Sequence, residues 1–479
     1  MATERPSAAR MRRTVTAGRR KGFATPLREA VLGNEDLLAL IFSEFRAEDD
    51  RRNIYAHTLV QSALTCRAFT NPALDVLWER LSSPLALFAL LPPIHISNRE
   101  MRVARPFVPG DWDRFLFYAK RVRKLSVNGI PSAHRASDLT TISPCVFSAI
   151  NKAPYRPRPL MTSLRSLHFE CRSLVTQQRP DIENLFLWLS PPLLDLSLRL
   201  SPERVPEEDL TYVILTAVAA QSPDIRKIRW FSSVRMSSLD PCKSLRSLTT
   251  LILHPLLQPE WTSKSDNDYD HIVVLDHLSR CSSLEALTIT TERYAWVEEE
   301  PTPLKWERIL RVIKHSTSSN HIKSIRFPNL QYFNTCGDPV WLMQALAQLA
   351  PTLASLHTLN LQMHFGHNVR ARFNGLNFWK ALSKRLAVCS DLRHLLIRDP
   401  HHHVKKLVCE ESLSVDLADL LEPLSRSRTS LVEVTIGAPL GIGWGGKGIY
   451  NLAAYFPELQ SLCLPEGTTM SRSEMLNRR

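Results

Sequence analysis

The chain contains no Cys-x-x-Cys pair; its nine cysteines are scattered singly. An odd, dispersed set excludes a disulfide framework and points to reduced thiols, hence to the cytoplasm or nucleus. No apolar run approaches the roughly 18 residues that a membrane span requires. No apolar core of a secretory leader follows the basic start. Acidic residues are missing between Glu4 and Glu29, where Arg5, Arg10, Arg12, Arg13, Arg19, Arg20 and Lys21 fall. That stretch holds much of the net charge of +13, which comes from 60 Lys and Arg against 47 Asp and Glu. The remainder is only mildly basic, so nucleic acid is not an expected partner of the whole chain. A Gly-x-Ser-x-Gly elbow and a Cys–His catalytic signature are also missing.

With 479 residues and 44% hydrophobic residues, the chain can bury a sizeable core. Two patterns organise it. The first is a short helical module. Asn34 is a good N-cap, and Glu35 and Asp36 fall in the first turn, where the helix dipole favours acid. Leu37, Leu38, Ile41, Phe42 and Phe45 follow at helical spacing. A charged loop around Glu48, Asp49 and Asp50 interrupts the pattern. A second helix is expected through Leu59, Val60, Ala63 and Leu64, ending near Phe69. Asn71-Pro72 is expected to restart a third, with Pro72 in its first turn; that helix carries Leu74, Leu77 and Trp78. So apolar a surface must be covered, internally or by a partner.

The ordered set Leu32, Leu37-Leu38, Ile41-Phe42, Leu64, Cys66-x-x-Phe69 and Leu77-Trp78 resembles an F-box, in the divergent form common in fungal proteins. Gly33 stands where the family usually has proline, Phe69 where Trp is commoner, and the loop over 46–58 is longer by about ten residues, which loops tolerate. The resemblance implies docking on the Skp-type adaptor, and through it a cullin, of a cullin–RING ubiquitin ligase. It implies that Leu32, Leu37, Leu38, Ile41, Phe42, Leu64, Cys66, Phe69, Leu77 and Trp78 make that contact.

The second pattern is a Leu-x-x-Leu-x-Leu phrase. It starts at Val122, Leu164, Leu193, Ile225, Leu248, Leu284, Ile322, Leu356, Leu392, Leu431 and Leu459. The last two apolar positions alternate as a short strand requires. Helical stretches with apolar stripes lie between the phrases, as at Ile182–Leu189, Trp306–Ile313, Trp341–Leu349 and Phe378–Leu386. This resembles leucine-rich repeats, but with units of roughly 23 to 42 residues and without the Asn that normally follows the strand. The expected fold is therefore α/β: a three-helix F-box, then a leucine-rich-repeat-like solenoid of parallel strands with outer helices. The expected divisions are a disordered basic tail 1–27, an F-box 28–82, a linker 83–115, repeats 116–466 and a disordered tail 467–479.

Arg165, His168, Arg226, Arg229, Glu285, Arg326, His357, Arg393 and Arg398 are expected to face the concave side of the strands. Their excess of Arg and His points to an acidic or phosphorylated target.

Gly441 to Lys447 fits Gly-x-x-x-x-Gly-Lys between a strand and a helix, the setting of a phosphate loop. Gly448 replaces the magnesium-binding Ser or Thr, and only about thirty residues follow, too few for a nucleotide domain. A nucleotide-binding enzyme built on this loop is the remote alternative. His401, His402 and His403 lack ligand spacing to any Cys or acid. No metal or cofactor is expected. The sequence reads as a non-catalytic substrate receptor. A scaffold that uses the F-box fold outside ubiquitination is the alternative, and co-purification of a cullin separates the two.

Overall fold

The computed structural model describes residues 32–45, 52–128, 141–171, 184–200, 209–234, 236–256, 273–291, 325–337, 339–363, 375–398, 415–416, 422, 430–437, 442–443, 454–463 and 469–471. Two units divide between Glu79 and Arg80.

The first unit holds three helices: α1 (Glu35–Ser43), α2 (Arg52–Thr65) and α3 (Arg67–Glu79). Asn34 caps α1 as its sequence implies, its side-chain oxygen accepting from the Leu37 N–H at 3.0 Å. The second and third helices divide elsewhere than expected. Helix α2 stops at Thr65, and α3 begins at Arg67 and runs through Asn71-Pro72 without a restart. Thr70 explains the earlier start. Its hydroxyl donates to the carbonyls of Ala63 (2.9 Å) and Cys66 (3.2 Å), tying the α2 end to the first turn of α3. Pro72 costs one intrahelical bond, to the Ala68 carbonyl, and the helix tolerates it near its start. The core is Leu38, Phe42, Leu59 and Ala73, with Phe45, Ala63, Ala68, Phe69, Val76 and Leu77 packed around it. Phe42 meets Phe69 edge-on at 5.4 Å, and Phe45 meets Tyr55 at 5.9 Å.

The second unit is built on one sheet of 13 strands whose spatial order follows the chain. They are β1 (Arg80–Leu81), β2 (Lys124–Asn128), β3 (Ser166–Cys171), β4 (Asp195–Leu200), β5 (Lys227–Val234), β6 (Thr250–Leu256) and β7 (Ala286–Thr291). They continue as β8 (Tyr332–Gly337), β9 (Thr358–Met363), β10 (His394–Arg398), β11 (Glu433–Gly437), β12 (Ser461–Cys463) and β13 (Thr469–Ser471). Every pairing from β1 to β12 is parallel; β13 folds back antiparallel on β12. Thus part of the expected C-terminal tail forms the last strand. Both edge strands are short, which limits pairing with other chains.

Outer helices connect the strands, among them Asp209–Gln221, Val273–Ser279, Pro339–Gln348 and Gly375–Leu386. The phrase residues are buried, as Leu356, Leu359 and Leu361 are at β9. Of the expected helix at 182–189, Asn184 and Leu185 are helical and a turn follows over 186–188; residues 182–183 and the expected helix at 306–313 lie outside the described residues.

One phrase is corrected. Ile325 and Phe327 of the phrase starting at Ile322 lie in coil, and Ile322 itself is outside the described residues; β8 starts later, with Leu330, Phe333 and Thr335 in the buried positions. Thr335 breaks the apolar pattern because it has a partner: its hydroxyl accepts from the Trp341 indole N–H at 2.8 Å. Ile325 and Phe327 are still buried. Their backbone is held through Thr352, whose hydroxyl accepts from the Phe327 N–H and donates to the Ile325 carbonyl.

Regular repeats use an Asn to bond the turn after the strand. Here a ladder of backbone carbonyls works at the opposite end. Just before each strand one carbonyl accepts two N–H groups of the next unit. Arg123 accepts from Arg165 and Ser166, Arg165 from Leu194 and Asp195, and Arg226 from Thr249 and Thr250. The pattern continues without a break through Val432, which accepts from Gln460 and Ser461. Backbone pairing constrains no side chain, which lets the unit length vary.

The expected linker 83–115 is a folded part of this unit. It carries a helix (Leu85–Phe88) and a hairpin (Ile94–Ser97 with Glu100–Val103). The hairpin turns at Asn98 and Arg99, both at positive φ (51° and 62°), as a two-residue turn between twisted strands requires. Phe88 is fully buried and stacks on Trp188 at 5.7 Å. Of the prolines that suggest a connection, Pro84, Pro92 and Pro93 sit in turns and Pro106 in the coil before a 3-10 helix (Pro109–Asp111). Buried Asp111 receives both terminal nitrogens of Arg105, at 2.6 and 2.8 Å, and the Val108 N–H at 2.8 Å.

Candidate functional site

Helix α1 has two apolar stripes because its turn carries Leu or Ile on adjacent positions. Leu38 and Phe42, four apart, point into the core with Phe45. Leu37, Leu40 and Ile41 form the neighbouring stripe and are 36%, 63% and 43% exposed. On α2, Val60 and Leu64 share one face and are 39% and 76% exposed. Five large apolar side chains on two helices are left uncovered.

The ten residues singled out from sequence therefore separate. Leu37, Ile41 and Leu64 are exposed and available for contact. Leu38 and Phe42 are this unit's own core, at 3% and 5% exposure, and cannot meet a partner without unfolding it. Leu32, Cys66, Phe69, Leu77 and Trp78 are half-buried, with Phe69 and Leu77 against the core. Leu40 and Val60 were missed. The signal for Leu40 was present: Leu37, Leu40 and Ile41 stand at i, i+3 and i+4, a stripe of their own.

The second candidate surface is the sheet face opposite the helices. Strand register sets a row across it: Ser126, His168, Ser197, Arg229, Ile252, Thr288, Asn334, Asn360, Leu396, Thr435 and Cys463. Of the nine residues expected on this face, His168, Arg229 and Arg398 lie on it, at alternating strand positions. Arg165, Arg226, Glu285, His357 and Arg393 instead precede their strands, in the carbonyl ladder. Arg326 lies in the coil before β8.

The row is cross-linked. Arg229 donates to Asp195 at 2.6 Å, and the His168 ring nitrogen meets the Ser197 hydroxyl at 2.9 Å. Burial lowers the His168 pKa and outweighs the neighbouring carboxylate Glu170, so its imidazole is neutral at pH 7.

Rival chemistry finds little support among the described residues. No group of three His, Cys, Asp or Glu is placed to hold a metal. Burial pushes the thiols of Cys281 and Cys389 up to about 12, and that of Cys242 higher still, which makes them inert packing residues. Of the glycine-rich loop, Ile442 and Gly443 form a short parallel strand with Val415–Asp416; Gly441, Lys447 and His401 to His403 lie outside the described residues. No described helix is long and apolar enough to cross a membrane.

No family model matches the chain. No curated protein matches it. Among solved structures, it is similar to the leucine-rich repeat-containing protein LegL7 from Legionella pneumophila. That match has 13% identity over 74% of this chain and 96% of the other, with a TM-score of 0.35. It is also similar to a chain in the complex of Rad7 and Elc1 in yeast, at 12% identity over 86% and 90% of the two chains, with a TM-score of 0.31. Likenesses of this size carry no function across; the strand–helix repeat architecture stands on the chain's own strand pairing.

Proposed function

We propose that this chain is a non-catalytic substrate receptor of a cullin–RING ubiquitin ligase, with the helical unit docking on a Skp-type adaptor and the repeats holding a target protein. The observation that carries the reading is the exposed apolar stripe of Leu37, Leu40 and Ile41 on α1, together with Val60 and Leu64 on α2. Single exposed leucines need no explanation, but this density on two helices of a small unit marks a protein contact. A partner helix or groove covering such a stripe gains a few buried apolar anchors, the usual source of affinity at an interface. The ordered F-box pattern over residues 32–78 names the adaptor as that partner.

The chain's contribution to chemistry is proximity. Holding a target lysine near the charged conjugating enzyme raises its effective concentration, and no side chain here acts on the reacting atoms. The cytoplasm or nucleus suits the dispersed thiols.

The test is a pull-down of the full chain, wild type and Leu37→Asp/Ile41→Asp. Adaptor and cullin should come with the wild type and not with the variant. Failure of the wild type to retain adaptor overturns the reading; adaptor without cullin supports the scaffold instead.

A further inference from the structure

Strands β3 to β6 set four side chains shoulder to shoulder on the face away from the helices: Glu170, Arg199, Phe231 and His254. Glu170, almost fully buried, accepts from one Arg199 nitrogen at a long 3.4 Å. The Arg199 guanidinium carbon lies 5.5 Å from the centre of the Phe231 ring. That ring lies 5.5 Å from the His254 ring and within 5° of parallel to it. Immediately after Phe231 the pairing of β5 with β6 shifts register, and such bulges re-aim side chains at functional places.

The stack leaves its anion-seeking parts uncovered. Arg199 is 53% exposed, and the one ion pair it makes among the described residues is long, so most of its five N–H donors have no partner among those residues and are open for a fork. Phe231 and His254 face each other, so they turn their ring edges outward, and aromatic edges are the electropositive part of the ring. Both carboxylates of this patch already have arginine partners: Glu170 has Arg199, and Asp195 has Arg229. Arg165 and Arg226, exposed before β3 and β5, have no ion pair among the described residues. The patch is thus positive at its rim and presents aromatic ring edges at its centre. A continuous run of phosphates would be driven onto Glu170 and Asp195, whereas spaced carboxylates avoid them.

We propose that the Arg199–Phe231–His254 row is the recognition hot spot for an acidic, extended protein segment, with a Glu or Asp carboxylate forked by Arg199 and an apolar neighbour packed against the outward edge of Phe231. This deepens the target-holding half of the proposed function and is independent of what the helical unit docks on. The adaptor pull-down reads α1 and α2 alone, so either result can fail while the other stands.

The experiment is fluorescence anisotropy with the full chain and labelled peptides of about twelve residues, long enough to cross four strands. One probe alternates Glu with Leu, a second alternates Lys with Leu, a third replaces Glu with phosphoserine, and a fourth is a single-stranded DNA of similar length. The Glu probe should bind best and weaken with salt. Arg199→Ala should reduce its affinity by about tenfold or more, the size of a lost charge-assisted pair. Phe231→Ala should weaken it too, and Arg393→Ala, exposed far along the sheet, should not. Arg199→Ala also takes the guanidinium from buried Glu170, so its melting temperature should fall, and affinity is read below the transition, where the circular dichroism matches the wild type. The proposal is overturned by no binding of the Glu probe, by equal binding of the Lys probe, by unchanged affinity in Arg199→Ala, or by tighter binding of the phosphoserine probe or DNA.

Discussion

Leu38 and Ile41 stand three positions apart on α1, and their variants should fail in different ways. Leu38 is 3% exposed within a four-residue core. Leu38→Ala should cost about 2–5 kcal/mol, the transfer term plus a cavity that a small core cannot close. A core of this size supplies only about 3–5 kcal/mol in all, so one methyl-rich side chain decides whether the unit folds. Ile41 is 43% exposed and Leu64 76%. Truncating the exposed set Leu37, Ile41 and Leu64 to Ala should cost about 1 kcal/mol of stability each, less per residue than Leu38, since they are 36%, 43% and 76% exposed. Adaptor affinity should respond in reverse. At about 1 kcal/mol for each anchor, the triple variant should lose roughly a hundredfold or more in Kd. Hydrogen exchange on peptides from residues 35–79 reads the folding of this unit alone, and calorimetry with purified adaptor reads binding. If the triple variant keeps full adaptor affinity, or loses it only through loss of protection, the division of α1 into a core stripe and a docking stripe is wrong.

Three further outcomes follow from particular contacts. Thr335→Val should remove the hydroxyl that accepts from the buried Trp341 indole N–H and cost about 1–3 kcal/mol, read as a lower denaturant midpoint by tryptophan fluorescence; Thr335→Ser should restore it, and an unchanged midpoint in the valine variant would refute the contact. The Arg105 hydrogen bonds hold the Asp111 carboxyl below its ordinary range. Its contribution is therefore complete above the unfolded value of about 3.9 and is lost as pH falls through the lower folded value. Asp111→Asn should accordingly lower the urea midpoint at pH 7 and flatten its fall toward pH 3; an equal acid dependence in both proteins argues against this. Magnesium and ATP should leave the melting temperature of the full chain unchanged, as should Lys447→Ala. A nucleotide-dependent rise that the variant abolishes would restore the phosphate-loop alternative.

How much of this was written in the chain varies by element, for physical reasons. The α1 cap and its apolar spacing are local, and Asn34 behaves as isolated helix chemistry requires. Ten of the eleven repeat phrases fall on strands of the sheet, because alternation is a property of neighbouring residues. The eleventh was misplaced because a polar residue, Thr335, occupies a buried position that only its contact with Trp341 makes tolerable. The segment 83–115 read as a connection because proline marks turns, and its burial depends on Trp188, far along the chain.

Sequence alone determined that the chain would pair a helical module with an array of strand–helix units, since periodicity reports which side of an element avoids water. It did not decide which greasy residues the module keeps for itself. Leu37 and Leu38 are chemically identical neighbours, and only the packing of α3 assigns one to the core and the other to the surface. The same holds for the patch on the sheet. Glu170, Arg199, Phe231 and His254 share no local pattern, and strand register across four units is what brings them together.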